Sequence, residues 1–239
     1  MTEIIYGINP VMSALENDIK IKEVFLNEKK FENEISKFQS KGITVKPLSN
    51  FDFEQYGLNQ DINVQGIVAV ITPKSLLSTK EIIIRAQKVQ NPVLVLADKI
   101  TDPQNLGAII RNISAFNAQG LIIGKHNQSP ITPTVHKASA GNTFNIDIAV
   151  TSSMSNAIKE LKDNGFWIVD TRMDGKMSIE SLRDYNEPLV IVMGSEGKGI
   201  SPAIAKKADM SLKIEMTGKA ESLNVAAASA IILHGLQKK

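Results

Sequence analysis

The segment D-K-I-T-D-P-Q-N-L-G-A-I-I-R, Asp98 to Arg111, lies where a buried strand pattern ends and an amphipathic helix pattern begins. The apolar run Val93–Ala97 predicts the strand, and the spacing of apolar residues after Asn105 predicts the helix. Polar side chains therefore gather at the carboxyl end of a strand, where α/β proteins usually bind ligands. The segment alone fits a second interpretation equally well, an Asp-Pro turn capping a helix whose arginine is solvated.

The pattern on either side of this segment predicts a parallel-sheet α/β domain. The predicted strands are Val93–Ala97, Gly120–Gly124, Ile146–Val150, Phe166–Asp170, Leu189–Met193 and Ser211–Glu215. The predicted helices are Asn105–Phe116, Ser153–Asp163, Ala203–Lys207 and Leu223–Leu236. Strands that alternate with helices form a parallel sheet with helices on both faces.

A smaller α/β unit precedes this domain. Its predicted helices are Asn9–Glu16, Glu28–Ser40 and Asn50–Tyr56, and its predicted strands are Lys22–Asn27, Ile43–Leu48 and Val64–Ile71. Between the two, Ser78 and Glu81 have the spacing of a capping box that begins a short helix. We therefore predict a first domain at residues 1–72, a linker at 73–91 and a second domain at 92–239.

Composition indicates an ordinary globular protein of a reducing compartment. The chain has no cysteine, no apolar run long enough to span a bilayer, and an acidic residue near its start where a signal peptide would be basic. We therefore expect a cytoplasmic protein with no membrane partner. Residues 1–72 carry a net charge of −3 and the remainder +5, so a polyanion would be held mainly by the second domain.

A second segment, L-V-I-V-M-G-S-E-G-K-G from Leu189 to Gly199, leads a strand into three glycines and one carboxylate, Glu196. Glycines at a strand end let the backbone approach a ligand closely. The order of these glycines differs from the dinucleotide motif, which also follows the first strand of its sheet and not the fifth. A nicotinamide dehydrogenase is therefore disfavoured, and a simple glycine-rich turn remains the structural alternative.

The third segment, I-E-M-T-G-K-A-E-S-L-N-V-A-A-A-S-A-I, runs from Ile214 to Ile231. We predict that Ser222 is the N-cap of an apolar helix that begins near Leu223. A capped, buried terminal helix explains most of this segment. It does not explain Asn224, a polar residue in the first turn of that helix.

Together the three segments resemble the SpoU/TrmH family of RNA ribose 2′-O-methyltransferases. That family has an Asp-Pro-x-Asn-x-Gly…Arg block, a Gly-x-Glu-x-x-Gly block and a Ser-Leu-Asn-Val block, and all three occur here in the same order. The opening Y-G-I-N-P-V, Tyr6 to Val11, is similar to the 23S rRNA guanosine-2′-O-methyltransferase branch. That branch carries a small substrate-binding domain resembling ribosomal protein L30.

The resemblance implies a fold of the SPOUT type, in which the end of the sheet is threaded into a trefoil knot. General rules for chain connections predict an unknotted sheet instead. The knot loops would form a pocket for S-adenosylmethionine, and the protein would be a homodimer packed through the knotted region. The residues matching the cofactor contacts are Gly194, Ile214 and Leu223, with Met193 and Met216 beside them.

The implied reaction is methyl transfer from S-adenosylmethionine to a ribose 2′-hydroxyl, with no metal required. The family assigns the central role to the arginine that corresponds to Arg111, as proton acceptor or as a clamp on a substrate phosphate. An arginine stays protonated under ordinary conditions, which favours the clamp. The resemblance implies that Asn105, Glu196, Ser222 and Asn224 hold this arginine, the ribose and the cofactor together.

The expected substrate is a guanosine in large-subunit ribosomal RNA. Two alternatives stay open: the same 2′-O-methylation on tRNA, and a catalytically silent RNA-binding assembly factor. One departure from the family pattern is Glu215, which replaces a proline and adds a negative charge near the expected cofactor. His136, beside Lys137, is a candidate contact for an RNA phosphate.

Overall fold

The computed structural model describes residues 2–59 and 61–237 and divides the chain into two compact units. In chain order the elements are β1 (Glu3–Tyr6), α1 (Ile8–Glu16), β2 (Ile21–Leu26), α2 (Glu32–Ser40), β3 (Thr44–Pro47), β4 (Ile67–Ile71), α3 (Thr79–Ala86), β5 (Val93–Asp98), α4 (Pro103–Ala115), β6 (Gly120–Gly124), α5 (Pro133–Ala138), β7 (Ile148–Thr151), α6 (Met154–Asp163), β8 (Trp167–Thr171), α7 (Ile179–Arg183), β9 (Leu189–Gly194), α8 (Pro202–Ala205), β10 (Met210–Leu212) and α9 (Val225–Gly235). The N-terminal unit is the chain up to Ser75 together with Ile131–Asn145. The C-terminal unit is Leu76–Pro130 and the chain from Ile146 onwards.

The N-terminal unit is built on a four-stranded sheet in the order β1-β4-β2-β3. Strand β4 lies antiparallel between β1 and β2, and all five of its residues are buried because both faces of the sheet are covered. Alternate residues of a strand face opposite sides. Ile67 accordingly packs in a cluster with Phe38 of α2, whereas Val68 packs in a second cluster with Phe25 and Phe51.

The helix predicted over Asn50–Tyr56 is absent, and this prediction was wrong. The chain forms one short 3-10 turn, Leu48–Asn50, and then turns back over the sheet. The ring of Phe51 lies 5.1 Å from the ring of Phe25 and 5.2 Å from that of Tyr56. Aromatic packing on the sheet face opposite Phe38 therefore outweighs the helical spacing of these residues. Strand β1 and helices α5 and α7 were not predicted.

Residues 131–145 belong to the N-terminal unit, although the sequence analysis placed them inside a continuous second domain at 92–239. Gly141 has a φ of 85°, and a Cβ atom there would lie 2.7 Å from the Cβ of Ser13. The Ser13 hydroxyl donates a hydrogen bond of 3.0 Å to the Gly141 carbonyl. Close backbone packing that only glycine permits thus joins this segment to α1.

His136 is buried within the N-terminal unit, so its predicted contact with an RNA phosphate was wrong. Its Nδ1 lies 2.6 Å from the Thr143 hydroxyl, its Nε2 lies 3.3 Å from a Glu3 carboxylate oxygen, and its ring stacks on Phe144. Both ring nitrogens therefore have partners inside the protein. The neighbouring Lys137 donates to the Asn63 carbonyl, and burial lowers the pKa of this ammonium group.

The C-terminal unit contains a six-stranded parallel sheet in the order β10-β8-β9-β5-β6-β7. On one face, Leu94 and Leu96 of β5 pack in a cluster with Ile82 of α3 and Ile158 of α6. Helix α9 packs against β9 and α4, and α4 packs against β6. The fold therefore agrees with the prediction of a parallel sheet between helices, and each predicted strand of the sheet is present within a few residues.

Residues 76–91 were predicted as part of a linker, but they are an integral part of the C-terminal unit. Leu77 forms a parallel bridge with Ala149, and α3 packs against β6, β7 and α6. The predicted capping box is confirmed. The Ser78 hydroxyl accepts a hydrogen bond of 3.3 Å from the Glu81 N–H, and the Glu81 carboxylate accepts one of 2.7 Å from the Ser78 N–H.

The path of the chain after β9 brings two loops to one edge of the sheet. After β10, at the outer edge of the sheet, the chain returns so that α9 packs against α4 in the middle of the unit. This return follows residues 213–224 and lies beside the loop 195–200. The predicted knot would lie in this part of the chain.

We predict that Ser78→Ala raises the pKa of Glu81 towards its ordinary value. The Ser78 N–H, and to a smaller extent the Ser78 hydroxyl, donate to the Glu81 carboxylate and hold that pKa below its usual range. The variant removes only the contribution of the hydroxyl. The capping interaction stabilises the fold above the ordinary glutamate pKa. The stabilisation is lost as the pH falls through the lowered folded-state pKa. An NMR titration of the Glu81 carboxyl group, with urea unfolding at pH 7 and pH 3, measures both effects.

Ser75→Ala is the matched control, because Ser75 is an exposed serine three residues earlier. It should leave the Glu81 titration unchanged. A stability difference between wild type and Ser78→Ala that is as large at pH 3 as at pH 7 would contradict the role of the Glu81 carboxylate.

Candidate functional site

A cavity of about 660 Å³ opens at the carboxyl edge of the C-terminal sheet, between the ends of β8, β9 and β10 and the start of α9. This is the edge at which open parallel sheets bind ligands. The volume is in the range that holds a small-molecule ligand. Its lining includes residues from three loops, namely Thr171, Arg172, Met173, Met193, Gly194, Glu196, Lys198, Gly199, Leu212, Ile214, Met216, Ser222, Leu223, Asn224 and Val225.

The first motif forms the start of α4. Asp102 is the N-cap and accepts a hydrogen bond of 2.9 Å from the Gln104 N–H, while Pro103 occupies the first helical position. This cap orients the first turn so that Asn105 is buried. Arg111 lies six residues further along α4 with its side chain exposed. One helix thus presents an inward-facing amide and an outward-facing guanidinium.

The second motif forms a tight loop after β9. Ser195 and Gly199 form a bridge, and Gly197 and Gly199 have φ angles of 76° and 62°. A Cβ atom on Gly194 would lie 2.4 Å from the Gly199 backbone carbon, so glycine is required there. The loop folds back on itself and presents Glu196 beside the cavity.

The third motif forms the start of α9, and the prediction that Ser222 is its N-cap was wrong. The N-cap is Asn224, whose Oδ1 accepts hydrogen bonds of 2.9 Å from the Ala226 N–H and 3.3 Å from the Ala227 N–H. Ser222 lies two residues earlier, is exposed, and lines the cavity. Both residue types are good caps, so spacing alone did not distinguish them.

Asn224 joins the three motifs. Its Nδ2 donates a hydrogen bond of 2.9 Å to Oδ1 of Asn105 and one of 2.5 Å to Oε1 of Glu196. The helix N–H groups require the amide oxygen on their side, so the two Nδ2 protons must point to the two acceptors. The structure therefore brings together three of the five residues predicted for chemistry, Asn105, Glu196 and Asn224.

Arg111 is not part of this hydrogen-bonded set and does not line the cavity. Within the described part of the chain it forms no ion pair or side-chain hydrogen bond, so its guanidinium is free to bind an external anion. An unpaired guanidinium on the helix that carries Asn105 suits a phosphate group near the cavity.

Two residues that the sequence analysis did not assign to the site hold its elements in place. The buried Asp98, at the end of β5, accepts a hydrogen bond of 2.7 Å from the Ser201 N–H, just after the glycine loop. Asn112 of α4 donates hydrogen bonds of 2.9 Å to the Ala226 carbonyl and 2.8 Å to the Ser229 hydroxyl of α9. The place of Asp98 in the first motif could have identified it as a residue of the site. No sequence signal identified Asn112.

The cavity fits S-adenosylmethionine, the cofactor that the resemblance implies. All five residues predicted to contact it line the cavity, namely Met193, Gly194, Ile214, Met216 and Leu223. The four apolar side chains among them, Met193, Ile214, Met216 and Leu223, form a wall suited to an adenine ring. The Glu196 carboxylate supplies a negative charge at the rim, which suits a sulfonium cation.

The departure at Glu215 does not place a charge in this cavity. Glu215 is not among the lining residues, although Ile214 and Met216 on either side of it are. Its side chain is largely exposed, and its carboxylate lies 3.5 Å from the Lys213 ammonium group. The expected negative charge near the cofactor is thus turned away from the cavity and offset by a neighbouring lysine.

No group of three or more His, Asp or Glu side chains is arranged to hold a metal ion in residues 2–59 and 61–237. Within the same residues, no helix combines the length and the apolar character needed to cross a membrane.

Comparison with known proteins assigns the family. The profile of the SpoU rRNA methylase family matches residues 92–234, and that of an RNA 2′-O ribose methyltransferase substrate-binding domain matches residues 4–77. An uncharacterized tRNA/rRNA methyltransferase of Mycoplasma pneumoniae is 34% identical over 98% of this chain and 96% of its own length. A second uncharacterized one, from Synechocystis, is also 34% identical, but the chain spans only 61% of its length.

Solved structures agree with this assignment. An rRNA methyltransferase of Sinorhizobium meliloti with bound S-adenosylmethionine has a TM-score of 0.77 and 25% identity, covering 98% of this chain and 86% of the other. The SpoU methyltransferase AviRb of Streptomyces viridochromogenes, which is 22% identical, shares the fold with a TM-score of 0.78, covering 98% of this chain and 89% of the other. The predicted SPOUT-type fold with a smaller α/β domain is confirmed. The chain therefore belongs to the SpoU family of S-adenosylmethionine-dependent RNA methyltransferases.

Proposed function

We propose that this protein transfers a methyl group from S-adenosylmethionine to the ribose 2′-hydroxyl of a guanosine in 23S rRNA, in the cytoplasm. The observation that carries the proposal is the hydrogen-bonded set Asn105–Asn224–Glu196 at the mouth of the cavity. Three motifs far apart in sequence are joined there by one amide group. A polar set of this kind beside an apolar cavity can orient a hydroxyl group towards a bound electrophile.

When bound, S-adenosylmethionine supplies a methyl group on a sulfonium centre, a good electrophile. The residues of this chain would orient the ribose hydroxyl for a transfer in which its oxygen–methyl bond forms as the sulfur–methyl bond breaks. S-adenosylhomocysteine would then leave, and the hydroxyl proton would pass to solvent water. Arg111, with its free guanidinium, would hold the phosphate next to the ribose. Ser222 would orient the hydroxyl, Asn105 would act by positioning Asn224, and Glu196 would face the cationic side of the cofactor.

Ribosomal RNA is favoured over tRNA by the coverage of the relatives. The rRNA methyltransferase of S. meliloti covers 98% of this chain, N-terminal unit included. A TrmH/SpoU tRNA-modifying enzyme of A. aeolicus, 29% identical with a TM-score of 0.56, covers 66%. The match of residues 4–77 to a substrate-binding domain supports an additional RNA contact in the N-terminal unit. A silent RNA-binding factor is disfavoured, because it has no need of the hydrogen-bonded set beside a cofactor-sized cavity.

We further propose a homodimer that packs through the exposed side of α4 and α9. Ile231 of α9 is 41% exposed, and Ala227 and Ala115 are also exposed on these two helices. Small residues let a second helix approach closely. Burial of the exposed Ile231 side chain against that helix would stabilise the dimer. Arg111 is exposed on α4 as well, so a partner on this side would lie close to it.

The proposed reaction is tested with labelled S-adenosylmethionine, unmodified 23S rRNA and bulk tRNA. We expect wild type to label one rRNA guanosine at an alkali-resistant position. Arg111→Ala should reduce the rate at least a hundredfold while cofactor binding, measured by calorimetry, stays within about twofold. Arg85→Ala is the control, because it removes an arginine charge from α3, outside the site.

Label on tRNA alone would overturn the substrate proposal and retain the chemistry. Cofactor binding without transfer to either RNA, or to an immature large subunit, would support the silent factor.

A second prediction separates the two roles of Asn224. Asn224→Ser keeps a good N-cap for α9 but removes the donors to Asn105 and Glu196. We expect the free energy of unfolding to fall by about 1–3 kcal/mol, because the buried Asn105 oxygen loses its donor, while α9 keeps its N-cap and the methyl-transfer rate falls at least a hundredfold. A variant with normal activity would show that Asn224 serves only the helix cap.

A third prediction concerns the dimer. Ile231→Asp places a charge in the proposed apolar interface and should convert the dimer to a monomer, measured by sedimentation velocity at micromolar concentration. Ile84→Asp is the control, since Ile84 is 52% exposed on α3. A wild-type protein that sediments as a monomer at these concentrations would refute the proposed dimer.

A further inference from the structure

A second charged feature borders the cavity on the side away from α4. Asp170 of β8 is fully buried, and neither of its oxygens accepts a hydrogen bond of regular geometry from the described residues. The Nε of Arg172 lies 3.0 Å from Oδ2 of Asp170. A buried carboxylate is costly without a counter-charge, so this ion pair constrains both side chains. None of the three family motifs contains either residue.

Arg172 is held in place by its surroundings. Its N–H donates to the Leu212 carbonyl at 2.9 Å, and its Nη2 donates to the Ser211 hydroxyl. The turn that follows is bound to β10 through the Met177 N–H and the Ser211 carbonyl. A Cβ atom on Gly175 would lie 2.5 Å from the Leu212 backbone carbon, so the turn lies directly against that strand. The guanidinium is therefore positioned before any ligand binds.

Part of this guanidinium remains available to a ligand. Arginine has five N–H donors. Nε lies against Asp170, and one donor of Nη2 is used by Ser211, which leaves Nη1 and the second donor of Nη2. The side chain lines the cavity and is 41% exposed. Its charge is already offset by Asp170 and by Asp174, whose carboxylate lies 3.8 Å from Nε. The remaining donors therefore suit neutral oxygen acceptors better than a second anion.

The position of Arg172, just after β8, indicates which part of the cofactor it would contact. In the polar set, Glu196 follows β9 and Asn105 lies on the helix after β5, whereas Arg172 follows β8, the strand on the other side of β9 from β5. The transferred methyl group belongs near the polar set. The part of the cofactor on the β8 side is thus an arm that leads away from the sulfur atom. The neutral oxygen acceptors on such an arm are the ribose hydroxyls of the adenosine.

We propose that Arg172, oriented by the buried Asp170, is a further cofactor-binding residue that donates hydrogen bonds to the ribose hydroxyls of S-adenosylmethionine. The inference rests on the proposed function of the cavity as the cofactor site. It makes the Asp170–Arg172 pair a determinant of cofactor recognition that is separate from the RNA-facing residues.

The test removes the Arg172 guanidinium group and the ribose hydroxyls of the ligand, separately and together. Binding affinity is measured by calorimetry in the absence of RNA. The probes are S-adenosylhomocysteine and its 2′,3′-dideoxy analogue. We expect Arg172→Gln to weaken binding of S-adenosylhomocysteine about tenfold, because a hydrogen bond from a charged group is lost. It should change binding of the dideoxy analogue less than twofold. Lys176→Gln, which removes an exposed charge from the same turn, should change neither.

Arg172→Gln leaves a buried carboxylate without its counter-charge and could therefore unfold the protein. A second variant separates loss of the fold from loss of the contact to the ligand. The double variant Asp170→Asn/Arg172→Gln removes both charges and should fold while showing the same loss of discrimination between the two probes. Equal weakening of both probes, or of neither, would overturn the inference.

Failure of the inference is distinguishable from failure of the proposed function. If the Arg172 variants lose the discrimination that wild type shows between the two probes, but wild type methylates no RNA, only the rRNA proposal is overturned. A wild-type protein that does not bind S-adenosylhomocysteine would overturn the inference together with the cofactor site.

Discussion

The carboxamide of Asn224 is the interaction on which the site depends. Its oxygen accepts the first free N–H groups of α9, and its nitrogen donates to Asn105 and Glu196. A single side chain therefore ends the returning segment, begins the last helix and ties two other motifs to it. Because both polar atoms are used, the amide has one permitted orientation, and that orientation also orients its two partners.

Glycines and buried polar groups around this amide make the arrangement rigid. Gly194 leaves no room for a side chain against Gly199, so the loop that carries Glu196 lies directly on the strand before it. Asp98 binds the backbone just beyond that loop. Asn112 binds α4 to α9 behind it. Contacts of this kind place catalytic groups on helices and strand ends, where small displacements cost more than in a free loop.

The distribution of charge at the cavity follows from the same architecture. Arg111 is exposed and unpaired, whereas Arg172 is paired with a buried carboxylate. An unpaired guanidinium suits a mobile anionic substrate, and a paired one suits a neutral partner in a defined position. The two arginines therefore serve different ligands although both lie near one cavity.

The sequence by itself determined the parallel-sheet fold class and the capping box at Ser78, because these follow from local periodicity and spacing. The cavity-lining residues Met193, Gly194, Ile214, Met216 and Leu223 followed from the resemblance of its motifs to the SpoU family. Local spacing misplaced the N-cap at Ser222. The position of Asn224 depends on its two acceptors, Asn105 and Glu196, which lie 119 and 28 residues earlier in the chain. Local spacing also predicted a helix where Phe51 packs on Phe25, and it placed residues 131–145 in the wrong unit. Only the tertiary structure decided these points, and the pairing of Asp170 with Arg172, because each is a contact between segments whose geometry no local pattern encodes.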